Sequence, residues 1–282
     1  MAVTMEQGLQ LTEKHERLKN ILRNCGSVAV AFSGGVDSTY LLAEARKVLG
    51  SGVVAVNVRS VFTPDRETEE AEAFCRDWGI PLITIERDIL QVPGVAENPP
   101  DRCYLCKKAV FTEVIRAARE AGCSFVAEGS NTDDTGDYRP GMKAIGELGV
   151  RSPLLEAGLS KRDIRELSAR MGLPTAAKPS MACLASRIPY GERITEEKLA
   201  MADRAERFLM ERGFTQFRVR VHGSVARIEV PPEDIPRFAD EELRRKTYEE
   251  FRTAGFSYTA LDLLGYRTGS LNEALPESEG KE

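Results

Sequence analysis

Apolar and polar positions alternate in blocks along the chain, and block length predicts the elements. Residues 9–24 set Leu9, Leu11, Leu18, Ile21 and Leu22 among polar neighbours at helical spacing, which predicts an amphipathic lead-in helix. SVAVAF (27–32) is a short run rich in Val and Ala and predicts a buried strand. GVVAVNV (52–58), PLITIE (81–86) and CSFVA (123–127) repeat that signature. Between them lie helix-type segments: TYLLAEARKVLG stopping at Gly50, residues 65–78 stopping at Gly79, and residues 103–121. Strands alternating with helices predict an α/β fold with a doubly wound parallel sheet. Ser160 reads as the N-cap of KRDIRELSARM, with Gly172 and Pro174 closing that helix. Pro and Gly make 91–102 a loop, and 128–141 a longer one.

The texture turns irregular at AAKPSMACLASRIPYG, from Ala176 to Gly191. This places a boundary near residue 175 and predicts two domains, 1–175 and 176–282. The second holds a strong amphipathic helix, TEEKLAMADRAERFLMERG. FRVRVH (217–222) and VARIEV (225–230) follow as a strand pair, then a charged helix over 238–254 and a last strand in FSYTALDL. That is a smaller C-terminal α/β module. The final ten residues are polar and are expected to be disordered.

Composition narrows the classes. Lys and Arg total 39 against 44 Asp and Glu, a net charge of -5, which disfavours a generally basic nucleic-acid binder. No apolar run reaches the roughly 18–20 residues that span a bilayer, and the start lacks a secretory layout. A soluble cytoplasmic protein is expected. Six cysteines in 282 residues are too few for a disulfide scaffold, so metal binding or sulfur chemistry is open to them. The two histidines, His15 and His222, have no metal-ligand spacing.

Ser33-Gly34-Gly35-Val36-Asp37-Ser38 sits between SVAVAF and a helix. Successive glycines let backbone N–H groups converge on an anion, and the helix start adds its positive end. Ser33 and Ser38 add hydroxyls. Asp37 suits a cradle whose phosphates arrive with Mg²⁺, or it caps the helix. The plain alternative is an ordinary Gly turn. Glu128-Gly129-Ser130-Asn131-Thr132-Asp133-Asp134 follows another strand and should open on the same sheet edge, where carboxylates can hold Mg²⁺. Its plain alternative is a solvated acidic loop.

SGGVDS resembles the signature of the PP-loop ATP pyrophosphatases, a doubly wound α/β family that cleaves ATP to AMP and pyrophosphate. The resemblance implies that Ser33, Gly34, Gly35, Asp37 and Ser38 hold the pyrophosphate end of ATP. It places Asn57-Val58-Arg59 beside the adenine, and Gly129 and Asp133 at the nucleotide.

Cys103-Tyr104-Leu105-Cys106 opens a predicted helix, and Cys183 lies in the irregular segment. Three thiolates can hold a 4Fe–4S cluster with one iron open. Alternatively Cys183 acts alone, or all three are structural. Cys25, Cys75 and Cys123 read as core fillers. SGGVDS, ENPPDRCYLCK, EGSNTDD, PSMACLASRIPYGERIT and LDLLGYRTGS together resemble the LarE family of ATP-dependent sulfur transferases, over about residues 15–275. The resemblance implies adenylation of a carboxylate on pyridinium-3,5-biscarboxylate mononucleotide and replacement of AMP by sulfur, in assembly of a nickel-pincer nucleotide cofactor. Asp37, Glu128 and Cys183 are then the catalytic candidates. Sulfur comes either from a lone cysteine matching Cys183, which becomes dehydroalanine, or through a cluster on Cys103, Cys106 and Cys183. The extra CxxC favours the cluster here.

The substrate is strongly anionic. Arg218 and Arg220 share one strand face, Arg187 follows the key cysteine, and Arg267 sits in GYRTGS, so these are the candidate substrate ligands. A solvated sheet face is the plain alternative. The resemblance also implies a homo-oligomer, often a hexamer, built through the C-terminal module. A tRNA thiolase of the same superfamily is the alternative function, disfavoured by the acidic balance; no nucleic-acid or membrane partner is expected.

Overall fold

The elements form in the predicted order. In the computed structural model, which describes residues 2–136, 140–179 and 182–275, α1 (Ala2–Cys25) leads into β1 (Val28–Ala31), and α2 (Val36–Leu49) into β2 (Val53–Arg59). α3 (Asp65–Asp77) leads into β3 (Leu82–Glu86), and α4 (Arg102–Glu120) into β4 (Phe125–Ala127). α5 (Pro140–Glu147), α6 (Pro153–Glu156) and α7 (Lys161–Arg170) follow. The polar tail beyond residue 275, and Ser180 and Met181 of the cysteine-bearing segment, lie outside the described residues.

The four strands are parallel in the order β3-β2-β1-β4. The chain thus leaves β1 toward β2 on one side and later returns to β4 on the other, which makes the C-terminal end of β1 the switch point of the sheet. β1 is covered on both faces. Val28 and Val30 pack with Leu22, Leu41, Leu42 and Leu154, whereas Ala29 packs with Val56, Phe111, Val114 and Val126. Period-two alternation sends successive side chains to opposite layers, and each fully buried Val or Leu stabilises by roughly 1.5–3 kcal/mol. α2 stops at Gly50, whose φ of 58° suits glycine and lets its N–H return to the Arg46 carbonyl. α7 starts on a capping box: Ser160 Oγ accepts the Asp163 N–H at 3.2 Å, and Asp163 Oδ2 accepts the Ser160 N–H at 3.1 Å. The stretch read as loop to residue 141 contains a 3₁₀ turn at Thr132–Gly136 and the start of α5, with Pro140 at its first position.

The chain divides into two compact units: Met1–Ser60, Asp65–Arg87 and Cys103–Lys178 form one, and Val61–Pro64, Asp88–Arg102 and Pro179–Glu282 the other. The second unit is built on α8 (Glu196–Glu211), β5 (Arg218–His222), β6 (Val225–Glu229), α9 (Glu241–Ala254) and β7 (Tyr258–Leu261). β5 and β6 are antiparallel across Gly223-Ser224, and β7 runs parallel to β6. Phe208, Phe251 and Phe256 pack in succession beneath them, with ring centroids 6.3 Å and 5.9 Å apart. Asp88–Arg102 holds the cysteine-bearing segment. Buried Asn98 donates to the Pro189 carbonyl at 2.6 Å, Gly191 N–H donates to the Asn98 carbonyl at 2.9 Å, and Arg102 donates to the Ala185 carbonyl at 3.1 Å.

Candidate functional site

Gly34, with φ 72°, turns the chain as it leaves β1. A Cβ there would lie 3.3 Å from the Glu67 carbonyl, so the position is crowded as well as left-handed. Gly35 is the N-cap of α2 and supplies no side-chain cap. Asp37 therefore lies inside the first turn, and its carboxylate is available for other work. Ser33 Oγ and Ser38 Oγ stand 3.1 Å apart, and Ser38 Oγ donates to the Gly35 carbonyl at 3.2 Å. Two hydroxyls, two glycines and a helix start thus converge at the switch point.

Asp37 shows the electrostatics of this turn. Its Oδ2 accepts Lys161 Nζ, while Oδ1 is buried without a partner. Burial pushes the Asp37 carboxyl above its usual range, and Asp134 adds to that; Lys161 and Arg165 pull it down. The lone oxygen beside the phosphate turn fits a cation ligand, so the residues present suit Mg²⁺.

The loop after β4 closes on the same turn. A Cβ on Gly129 would lie 3.0 Å from Ser38 N and 3.2 Å from the Asp37 main chain, so what Gly129 admits is the phosphate turn itself. Glu128 is buried; its carboxylate accepts Ser130 N–H at 3.0 Å, Ser130 Oγ at 2.8 Å, and Ser152 Oγ. Those bonds shape the loop. Asp133 is exposed and accepts the Lys161 N–H at 3.0 Å. At the end of β2, buried Asn57 donates to the Phe32 carbonyl at 2.7 Å, Val58 is half-buried, and exposed Arg59 pairs with Asp65 at 2.8 Å.

Two lysines went unremarked in the sequence. Lys161 opens α7 and reaches Asp37. Lys178 donates to the Gly34 carbonyl at 3.2 Å and to Glu70 at 2.6 Å. Nothing local marks either. Only the fold brings them to the turn.

Cys103 and Cys106 lie half-buried at i,i+3 on the first turn of α4, a spacing that suits two ligands of one metal. Cys183 is exposed and belongs to the second unit. Among the described residues no three His, Cys, Asp or Glu side chains are arranged to hold a metal ion. Cys103 and Cys106 are a matched pair within the first unit. Cys25 and Cys75 are buried, and burial pushes the Cys75 thiol up to about 12.

In the second unit Arg187 is fully buried and grips Glu206 with two bonds, at 2.7 Å and 2.8 Å. Arg220 grips Glu229 twice at 3.0 Å and donates to Ser270 Oγ at 2.9 Å. Arg218 donates to the Phe217 carbonyl and lies over the Tyr266 ring at 5.2 Å; burial, then Arg187, lower its pKa. Arg267 is half-buried and held by Glu273 at 2.9 Å. Arg187 and Arg220 thus form closed pairs with buried carboxylates, Arg218 is buried against Tyr266, and Arg267 pairs with a more exposed Glu273.

The chain is 35% identical, over 95% of its length and 97% of the relative's, to the pyridinium-3,5-bisthiocarboxylic acid mononucleotide synthase of Lactiplantibacillus plantarum. The chain belongs to the LarE family. An uncharacterised protein of Synechocystis is 40% identical over 94% of this chain and 99% of its own. More distantly, a subunit of the glutamine-hydrolysing GMP synthase of Archaeoglobus fulgidus is 25% identical over 71% of this chain and 68% of its own. No family model matches the chain. Membership in the LarE family makes this protein an ATP-dependent enzyme, and the parallel sheet with its Gly turn is the PP-loop architecture expected of it. No described helix is long and apolar enough to cross a membrane.

Proposed function

We propose that the protein adenylates a carboxylate of pyridinium-3,5-biscarboxylate mononucleotide and replaces AMP with sulfur, forming a thiocarboxylate. The observation that carries this reading is the near full-length likeness to the bisthiocarboxylic acid mononucleotide synthase. The phosphate turn supports it independently.

Ser33, Gly34, Gly35 and Ser38 cradle the pyrophosphate end of ATP, and Val58 and Arg59 flank the adenine. Asp37 and Asp133 are the Mg²⁺ candidates; the ion offsets charge on departing pyrophosphate. Glu128 acts by holding the loop that carries Gly129 and Asp133. A substrate carboxylate oxygen attacks the α-phosphorus, and pyrophosphate leaves with the bonding electrons. Sulfur then attacks the acyl carbon, and AMP leaves. Arg187, Arg218, Arg220 and Arg267 are proposed to face the anionic substrate; for Arg187, Arg220 and Arg267, binding requires their pairs with Glu206, Glu229 and Glu273 to share donors.

For sulfur supply, the i,i+3 pair of Cys103 and Cys106 favours a 4Fe–4S cluster completed by Cys183. The exposure of Cys183 favours the second reading, in which its thiolate displaces AMP to give a thioester, the Cα proton is removed by a base, and the Cβ–Sγ bond breaks to release the thiocarboxylate and leave dehydroalanine. The second unit is read as the substrate-binding and assembly module of a cytoplasmic homo-oligomer, a hexamer, with no nucleic-acid partner.

The test is anaerobic purification followed by incubation with ATP, Mg²⁺ and the biscarboxylate nucleotide. AMP, pyrophosphate and a product with one oxygen replaced by sulfur are expected. Iron and sulfide analysis, with intact mass after turnover, separates the cluster from loss of one H₂S per chain. A parallel incubation in which tRNA gains sulfur while the nucleotide does not overturns the reading.

A further inference from the structure

Long cationic side chains normally keep the charged head in water and bury the stem. Arg66 does the reverse. It is the second residue of α3 and is half-buried as a whole. Yet both terminal nitrogens of its guanidinium are buried, and neither has a hydrogen-bond partner among the described residues. Its own helix does not hold it. Asp65 pairs with Arg59 at 2.8 Å, and Glu70, one turn on at i+4, accepts Lys178 at 2.6 Å. A buried cation with no acceptor is strongly destabilising, so this one is matched to an anion that arrives from outside.

Gly34 fixes the place. A Cβ there would lie 3.3 Å from the Glu67 carbonyl and 3.6 Å from Ala71 Cβ, so the start of α3 presses on the phosphate turn. Lys178, held by Glu70, donates to the Gly34 carbonyl at 3.2 Å. The stretch of α3 that carries Arg66 and Glu70 therefore borders that turn.

We propose that Arg66 binds the substrate carboxylate that is adenylated and holds it beside the α-phosphorus of ATP. This rests on the adenylating reading above. Two considerations select a carboxylate over a phosphate or a hydrosulfide. First, both terminal nitrogens lack a partner, and the planar fork they form matches the two oxygens of a carboxylate. Second, the phosphate tail already has the glycines, hydroxyls and helix start of its turn, whereas the carboxylate carries a further negative charge into a negative site. The guanidinium offsets that charge without giving up a proton. One carboxylate oxygen bonds to the α-phosphorus, the bond to pyrophosphate breaks, and pyrophosphate takes the electron pair.

The experiment is pyrophosphate exchange into ATP by the intact protein, with the biscarboxylate nucleotide varied, beside calorimetric titration with Mg·ATP. Arg66→Met and Arg66→Gln should each raise the KM for the nucleotide by roughly 10- to 100-fold, the worth of a hydrogen bond to a charged group. Affinity for Mg·ATP should stay at the wild-type value, and Arg66→Lys should recover part of the loss. Ligand-free Arg66→Met should melt no lower than wild type, because it sheds a buried charge that nothing balances. An equal loss of ATP affinity would assign the guanidinium to phosphate and overturn the inference. Unchanged exchange with lost thiocarboxylate formation would assign it to the sulfur donor, and unchanged exchange with a lower melting temperature would make it structural; either overturns the inference alone. A wild-type protein without nucleotide-dependent exchange overturns the functional reading and this inference with it.

Discussion

Lys161 and Asp37 pair where solvent reaches both, at 28% and 22% exposure, whereas Arg187 and Glu206 are sealed at 1% each. The lysine makes one contact and leaves a carboxylate oxygen unpartnered. The arginine makes two parallel bonds to Glu206 and directs a further donor to Ser186 Oγ at 2.8 Å. Arg220 and Glu229 repeat the sealed pattern, and Lys178 with Glu70 the open one. The partly exposed pairs rest on a single lysine contact. The sealed pairs are closed by planar bidentate geometry, which arginine provides and lysine does not.

The largest expected effect falls on the exposed thiol of the second unit. Cys183→Ala should abolish sulfur transfer while ATP binding persists, measured by thiocarboxylate formation beside nucleotide titration. Wild-type transfer in this variant would refute both sulfur routes. Next, Arg187→Met takes the bidentate cation from buried Glu206, leaving it the Val219 N–H at 3.0 Å, and should cost about 3–5 kcal/mol in denaturant unfolding. The double variant with Glu206→Leu should recover most of that, whereas Lys161→Met should cost at most about 1 kcal/mol. Similar losses for Arg187→Met and Lys161→Met would erase the contrast.

Asp37 gives the pH test. Burial raises its pKa above 3.8, so Mg·ATP affinity should decline as pH falls through that raised value, and Asp37→Asn should flatten the profile. The sign for stability is opposite. The folded chain holds this proton more tightly, so its contribution is full below 3.8 and is lost as pH rises through the raised value. The smallest effect concerns His222, whose pKa burial lowers from 6.5, with Arg227 adding to it. Its contribution to folding is present above 6.5 and is lost as pH falls through the lowered value; His222→Gln should remove that slope from a series of melting curves.

Much of the fold was legible because its signals are local. β1 is an apolar run, SGGVDS breaks it, and α2 begins with helical period, so strand, turn and helix could be read in order. The Ser160 capping box depends on residues three apart. Gly129 was visible as a glycine, but its reason is the backbone of Ser38 and Asp37, far away in sequence. Lys161 looked like any first residue of an amphipathic helix, and its partner is 124 residues earlier. Arg187 and Arg220 stood in the sequence without their partners, because Glu206 and Glu229 come from other elements. Likewise, nothing in the pattern of Asp88–Arg102 says that it forms part of the second unit with the residues after Pro179.

The central claim is that the phosphate turn holds ATP for adenylation of a carboxylate. Exchange of labelled pyrophosphate into ATP tests it most directly, with the biscarboxylate nucleotide present and sulfur withheld. The account predicts exchange that requires the nucleotide and disappears in Asp37→Asn. ATP breakdown to ADP and phosphate, or exchange that ignores the nucleotide, would contradict it.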